Sequence, residues 1–295
     1  MRLADRAIRW YEATARDLPW RHADTSAWGV LVSEIMLQQT PVVRVVPVWS
    51  EWLRRWPTPS ALAKEPAGEA IRAWGRLGYP RRALRLHECA CVLVLRHGGD
   101  VPPDLGCLLA LPGVGSYTAR AVAAFAFRQR HPVVDTNVRR LVARAVAGRA
   151  GGGPATSAAD LASVSELLPP TPARAARASA AFMELGAMVC TTRNPSCGDC
   201  PLRSVCVWQR AGRPGGGALP VRRPQGYVGT DRHVRGLLLA LARETRGPVA
   251  RETLDAAWPD AEQRVRALTG LLHDGLLVEG TPDRYGLPGM RHDSP

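Results

Sequence analysis

The sequence predicts an all-α architecture followed by a small α+β unit. Three observations lead there. Over the first 210 residues, apolar side chains recur at three- and four-residue spacing, with no sustained alternation of strand type. Turn residues punctuate that pattern at Pro57-Thr58-Pro59, Gly75 to Pro80, Gly98-Gly99, Pro102-Pro103, Pro112 to Gly115 and Gly148 to Pro154, so the helices between them are short. Past Cys206 the composition changes. Residues 211–226 are rich in Gly, Pro and Arg, have little to bury and read as a linker. Beyond it, Arg232–Thr245, Arg251–Trp258 and Asp260–Asp274 have helical patterning. Leu276-Leu277-Val278 and Tyr285-Gly286-Leu287 can pair as a hairpin around Thr281-Pro282-Asp283, which makes 227–295 winged-helix-like.

Composition narrows the class. The chain has 295 residues, 46% hydrophobic and 22% charged, enough for a packed core in two or three domains and incompatible with wholesale disorder. The best apolar run, Leu237–Ala242, falls far short of the roughly 18 residues a membrane span needs. Met1–Trp20 mixes charge with apolar residues and lacks the core of a secretory leader, so a cytoplasmic placement is expected. A net charge of +13 favours a polyanionic partner, nucleic acid before membrane surface. Of 39 basic residues only Lys64 is lysine, so chemistry through a lysine Schiff base has one candidate.

The seven cysteines are an odd number, which argues against a disulfide framework. Cys190, Cys197, Cys200 and Cys206 are spaced C-x6-C-x2-C-x5-C, and four thiolates this close can converge on one soft metal centre. A [4Fe–4S] cluster fits better than structural zinc, which usually takes two C-x2-C knuckles where this chain has one. Arg193 and Arg203 lie between these positions and could face phosphates. Cys89, Cys91 and Cys107 sit in apolar helical context and are expected in the core.

Three further segments bear chemistry. Leu111-Pro112-Gly113-Val114-Gly115 separates two helices. It reads either as an ordinary interhelix turn or as a glycine-enabled approach of backbone N–H groups to one DNA phosphate. Glu34 lies on a helix with Val30, Leu31, Leu37 and Gln38 as near neighbours, three of them apolar. A carboxyl shielded that way has its pKa raised. Asp135 precedes Thr136-Asn137-Val138-Arg139-Arg140 at a helix start, where an N-cap and an ionised catalytic carboxylate are compatible roles. One protonated and one ionised carboxyl are what cleavage of a glycosidic bond needs.

Together, Ser33–Gln39 (SEIMLQQ), Leu111–Thr118 (LPGVGSYT), Val134–Arg140 (VDTNVRR) and the cysteine spacing resemble the helix-hairpin-helix base-excision glycosylases, and among them the adenine DNA glycosylases of the MutY family. The resemblance spans about residues 5–210. It implies two helical lobes: residues 1–24 with 133–210, carrying the [4Fe–4S] loop, and a six-helix barrel of residues 25–132 holding the hairpin. It implies that Glu34 protonates adenine at N7, that Asp135 stabilises the sugar cation, and that Tyr117 and Asn137 orient them. Gln38, Gln39 and Tyr79 would meet the DNA stack around the opposite base, and Gly113, Val114 and Gly115 a phosphate. Tyr117 stands where a related group has its Schiff-base lysine, so a monofunctional glycosylase is expected. The partner would be double-stranded DNA with a mispaired or oxidised base, the protein a monomer associated with the nucleoid. Pro80 departs from the family, which often has a second tyrosine there. So does the C-terminal end, where a short winged-helix-like unit replaces a Nudix-like domain. The alternatives are a glycosylase for another base and a DNA-binding iron–sulfur protein without catalysis.

Overall fold

A computed structural model describes residues 3–153, 155–215 and 226–290. The helices in chain order are α1 (Leu3–Thr14), α2 (Ala27–Met36), α3 (Val42–Arg55), α4 (Pro59–Ala63), α5 (Ala67–Trp74), α6 (Arg81–His97), α7 (Leu105–Leu109) and α8 (Ser116–Phe125). They continue as α9 (Thr136–Ala145), α10 (Ala158–Leu167), α11 (Pro172–Met188), α12 (Val207–Arg210), α13 (Asp231–Glu244), α14 (Arg251–Ala256) and α15 (Ala261–His273). The strands are β1 (Val249–Ala250), β2 (Val278–Thr281) and β3 (Arg284–Gly286).

Local chemistry sets many of these boundaries. Thr58, Asp104, Asp135, Thr230 and Asp260 each cap a helix by accepting a backbone N–H two or three residues into it. Ser157 and Asp160 form a reciprocal capping box on α10. Gly98 ends α6 in the left-handed region at φ 64°.

The chain divides into two compact units. One comprises Met1–Glu34, Pro103–Ala110 and Val114–Val221; the other comprises Ile35–Pro102, Leu111–Gly113 and Arg222–Pro295. In the first, α1 and α9 pack on α11 through Ile8, Tyr11, Val138, Leu141, Phe182 and Leu185. In the second, Trp52 meets Trp56 and Trp74 edge to face, with centroids 4.7 and 5.8 Å apart.

The C-terminal segment forms the expected winged-helix arrangement. Helix α13, strand β1, helices α14 and α15 and the β2–β3 hairpin follow in order, and the antiparallel sheet runs β1-β3-β2. The two-residue β1 was too short to leave a pattern in the sequence. The segment is riveted to α5 and α6 within the second unit. Gly68 N–H donates to Pro288 O at 2.7 Å, Arg243 Nε to Ile71 O at 3.1 Å and Arg72 Nη1 to Thr245 O at 3.1 Å. Asp274 pairs with Arg81 at 3.3 Å and also with Arg235. A side chain at Gly68 would run into Leu287 at 2.7 Å, so this approach requires glycine. Most of the linker lies outside the described residues.

Candidate active site and cluster loop

Helix α2 is buried on every side from Trp28 to Met36, and Glu34 is only 5% exposed. The helix is shorter than its pattern suggested. It ends at Met36, so Leu37 and Gln38 lie in the following turn and are not helical neighbours of Glu34. The chain turns out of the helix at Gln39, which adopts the left-handed region at φ 55°, and Pro41 keeps the residue before it, Thr40, from resuming the helix. The shielding of Glu34 comes instead from an α2 apolar all round. Burial pushes its carboxyl up to about 7; a hydrogen bond from Tyr117 opposes that shift, the charge of Asp135 adds to it and Arg21 counters it.

Tyr117 lies in the first turn of α8 and packs against Ala121, Ala124, Val133 and Ala176. Burial and the two nearby carboxylates push its phenol well above its ordinary value, so it stays a donor. Its hydroxyl hydrogen-bonds with Glu34 and also lies 3.8 Å from the Met183 sulfur, the weaker acceptor. Asp135 caps α9. One oxygen accepts from Val138 N–H at 2.7 Å, the other from Asn137 Nδ2 at 2.8 Å. The first unit therefore brings Glu34, Tyr117, Asp135 and Asn137 together.

A relay of hydrogen bonds leads onward from Asp135. Asn137 Oδ1 accepts from Arg140 Nη2 at 2.8 Å, and the same guanidinium donates to Gly186 O and to Cys190 O, both at 2.7 Å. Arg144 reaches the Cys190 sulfur at 3.5 Å, holds Thr191 O at 2.7 Å and stacks 4.6 Å from the Trp208 ring. Cys190, Cys197, Cys200 and Cys206 line one shared hollow with Arg144 and Trp208. Among the described residues, no three His, Cys, Asp or Glu side chains close on a single-ion position. Four thiols lining one shared space are a donor set suited to a soft metal centre. Arg193 and Arg203 are exposed on this loop.

Sequence reasoning missed a second buried carboxylate. Glu184, 1% exposed, accepts from Arg16 Nε at 2.7 Å, Arg16 Nη2 at 2.8 Å and Arg21 Nη2 at 2.8 Å. Burial pushes Glu184 up, but the two arginines overcome it and hold the carboxyl at about 2. A clue was present: an acid amid Ala181, Phe182, Leu185 and Gly186 on α11 has the same apolar company that singled out Glu34.

In the second unit, Gln39 and Tyr79 are exposed, Tyr79 at 55%, and Gln38 is half-buried. Pro80 caps α6. Across the hairpin, Gly113 takes φ 77° and is exposed, Val114 is buried and Gly115 caps α8. A Cβ at Gly113 would sit 2.9 Å from Arg85 Cβ. Of the cysteines expected in the core, Cys89 is buried, whereas Cys91 and Cys107 are only partly so. Cys107 belongs to the first turn of the short α7, whose buried side is taken by Leu108.

Residues 32–170 match the profile of the HhH-GPD superfamily of base excision DNA repair proteins. An adenine DNA glycosylase of Mycobacterium tuberculosis (strain CDC 1551 / Oshkosh) is 56% identical over 283 residues, covering 96% of this chain and 92% of that protein. An adenine DNA glycosylase of Mycolicibacterium smegmatis (strain ATCC 700084 / mc(2)155) is likewise 56% identical, covering 96% and 94%. Among solved structures, a thermostable thymine-DNA glycosylase superposes with a TM-score of 0.63 at 27% identity, over 70% of this chain and 95% of its own.

Proposed function

Because the chain belongs to the HhH-GPD base excision repair superfamily and, within it, to the adenine DNA glycosylases, we propose that it hydrolyses the N-glycosidic bond of adenine mispaired with 8-oxoguanine or guanine, leaving an abasic site. The observation that carries this reading is the pairing of Glu34, lifted to about 7 by burial, with the capped carboxylate Asp135. A group titrating near neutrality can give up a proton and take it back.

The adenine is first turned out of the duplex, because its glycosidic bond is out of reach inside the stack. Protonated Glu34 donates to N7 of the base. The bond between the sugar C1′ and N9 then breaks, and its electron pair leaves with the adenine. Asp135 faces the oxocarbenium-like sugar and stabilises its positive charge, with Asn137 and Val138 N–H fixing the carboxylate. Water adds to C1′, and its proton returns to Glu34. Tyr117 keeps Glu34 oriented through its hydrogen bond and offers no amine. Lys64 is exposed at the cap of α4, which supports a monofunctional enzyme.

Double-stranded DNA with a mispaired or oxidised base is the partner, met by a monomer in the nucleoid. The net charge of +13 supports a polyanion. The exposed hairpin Gly113 and Gly115 and the loop residues Arg193 and Arg203 are suited to phosphates, and Gln38, Gln39 and Tyr79 to the stack around the opposite base. Cys190, Cys197, Cys200 and Cys206 would hold a [4Fe–4S] cluster, which when bound cross-links the loop that carries those arginines.

Single-turnover assays on duplexes with A:8-oxoguanine, A:G, T:G and T:A test the proposal. Base release is expected from the first two. Glu34→Gln abolishes release while retaining duplex binding, and Asp135→Asn slows it by about 10²–10³-fold. Release unaffected by Glu34→Gln, or confined to T:G, overturns the reading.

A further inference from the structure

Three non-glycine residues of the second unit adopt the left-handed backbone region: Asp283 in the turn between β2 and β3, and, earlier in the chain, Gln39 at φ 55° and Tyr79 at φ 48°. A residue held there is strained and persists only where its surroundings enforce it. One guanidinium does so for Gln39 and Tyr79. Arg82, half-buried in the first turn of α6, donates through Nη1 to Ile35 O at 3.0 Å, to Met36 O at 3.1 Å and to Gln38 O. Through Nη2 it donates to Thr40 Oγ1 at 2.9 Å and Gly78 O at 3.1 Å. Its face lies 5.2 Å from the Trp74 ring and 5.3 Å from the Tyr79 ring.

The acceptors fall in a pattern. Gln38 O and Thr40 Oγ1 bracket Gln39; Gly78 O directly precedes the strained tyrosine, whose own ring lies against the guanidinium. Ile35 O and Met36 O are terminal carbonyls of α2, which lack helical partners and welcome a cation. Arg82 thus caps the helix that carries Glu34 and ties the loop after it to the turn of the exposed aromatic.

We propose that Arg82 is a positioning residue that locks Gln39 and Tyr79 into one rigid wedge and so sets how strictly the enzyme discriminates the base opposite the adenine. This rests on the adenine glycosylase reading above. Two loops held by separate contacts could shift independently and accept any opposite base. Held by one forked cation that reaches both, beside the 3.4 Å contact of Thr40 Oγ1 with Leu77 O and the bond from Arg44 to Arg76 O, they present one fixed shape. Lysine cannot replace it, because a single ammonium lacks the planar fork that serves two loops at once.

The test compares the full-length wild type with Arg82→Lys, Arg82→Ala and Thr40→Val. Single-turnover rates are measured on A:8-oxoguanine and A:C duplexes. Affinity is measured for a duplex with a tetrahydrofuran abasic analogue opposite 8-oxoguanine. In both Arg82 variants the rate preference for A:8-oxoguanine is expected to fall by about tenfold and the analogue affinity by a similar factor, while the rate at saturating enzyme falls less. Thr40→Val, which removes the side-chain acceptor of Nη2 together with the long 3.4 Å donations of Thr40 Oγ1 to Gln38 O and Leu77 O, shifts the preference in the same direction by roughly threefold. If Arg82→Ala does not fold, the other two variants decide. A lowered melting temperature with preference intact, or full restoration by lysine, reduces Arg82 to a structural role and overturns the proposal. A wild type that releases adenine from neither duplex sinks the underlying reading instead.

Discussion

Glu34 and Glu184 are both nearly inaccessible, yet their protons behave in opposite ways. At Glu34 burial wins over the Tyr117 hydrogen bond, and the carboxyl titrates at about 7 against 4.5 for an ordinary glutamate. Between those values the unfolded chain releases this proton and the folded chain keeps it. Stability from this group therefore falls as pH rises through that window, by about 3 kcal/mol. At Glu184 two arginines outweigh burial and hold the carboxyl at about 2, so its contribution is full above 4.5 and is lost as pH falls through 2. The proposed mechanism gives the working proton to Glu34, the one of the two that titrates near neutrality. The single-turnover rate is expected to be level below about pH 7 and to decline above it as Glu34 loses the proton it must donate. A rate still level at about pH 9 would exclude Glu34 as the acid.

At the scale of elements, the contact of α9 with α11 governs how the Asp135 carboxylate is seated. Gly186 faces Asn137, and a Cβ there would come within 2.7 Å of Asn137 O. Backbone cannot yield as a flexible side chain can. Gly186→Ala is expected to part the helices and cost about 1–3 kcal/mol, in spite of alanine's better helix propensity. It should also slow base release, because Asn137 would no longer seat Asp135. Chemical denaturation and single-turnover rates check this; an unchanged or raised midpoint would refute it. The same elements show what the sequence could disclose. Asp135 was legible because a cap is a local matter of few residues, and the helices of the C-terminal unit because amphipathic spacing is local too. Glu34 was legible from its apolar company, though for a partly wrong reason, since α2 stops before Leu37. The ion pairs of Glu184 join residues 163 and 168 positions apart, and no pattern in one chain announces such a partnership. The clasp of Arg82 over residues 35–40 was hidden for the same reason.

At the scale of the molecule, the C-terminal unit is bound into the second unit by more than its linker. Gly68 with Pro288, Arg72 with Thr245, Arg243 with Ile71, and Asp274 with Arg81 all join α5 or α6 to it, and Leu287 is buried. Those bonds do not depend on the residues between Gly215 and Gly226. A protease site inserted there and cut is expected to leave two fragments that co-elute on gel filtration and keep base-release activity. A free C-terminal fragment would contradict the fastening described. The stretch between Gly215 and Gly226 is accordingly a place where the chain can be opened or a reporter domain grafted without loosening the C-terminal piece from α5 and α6.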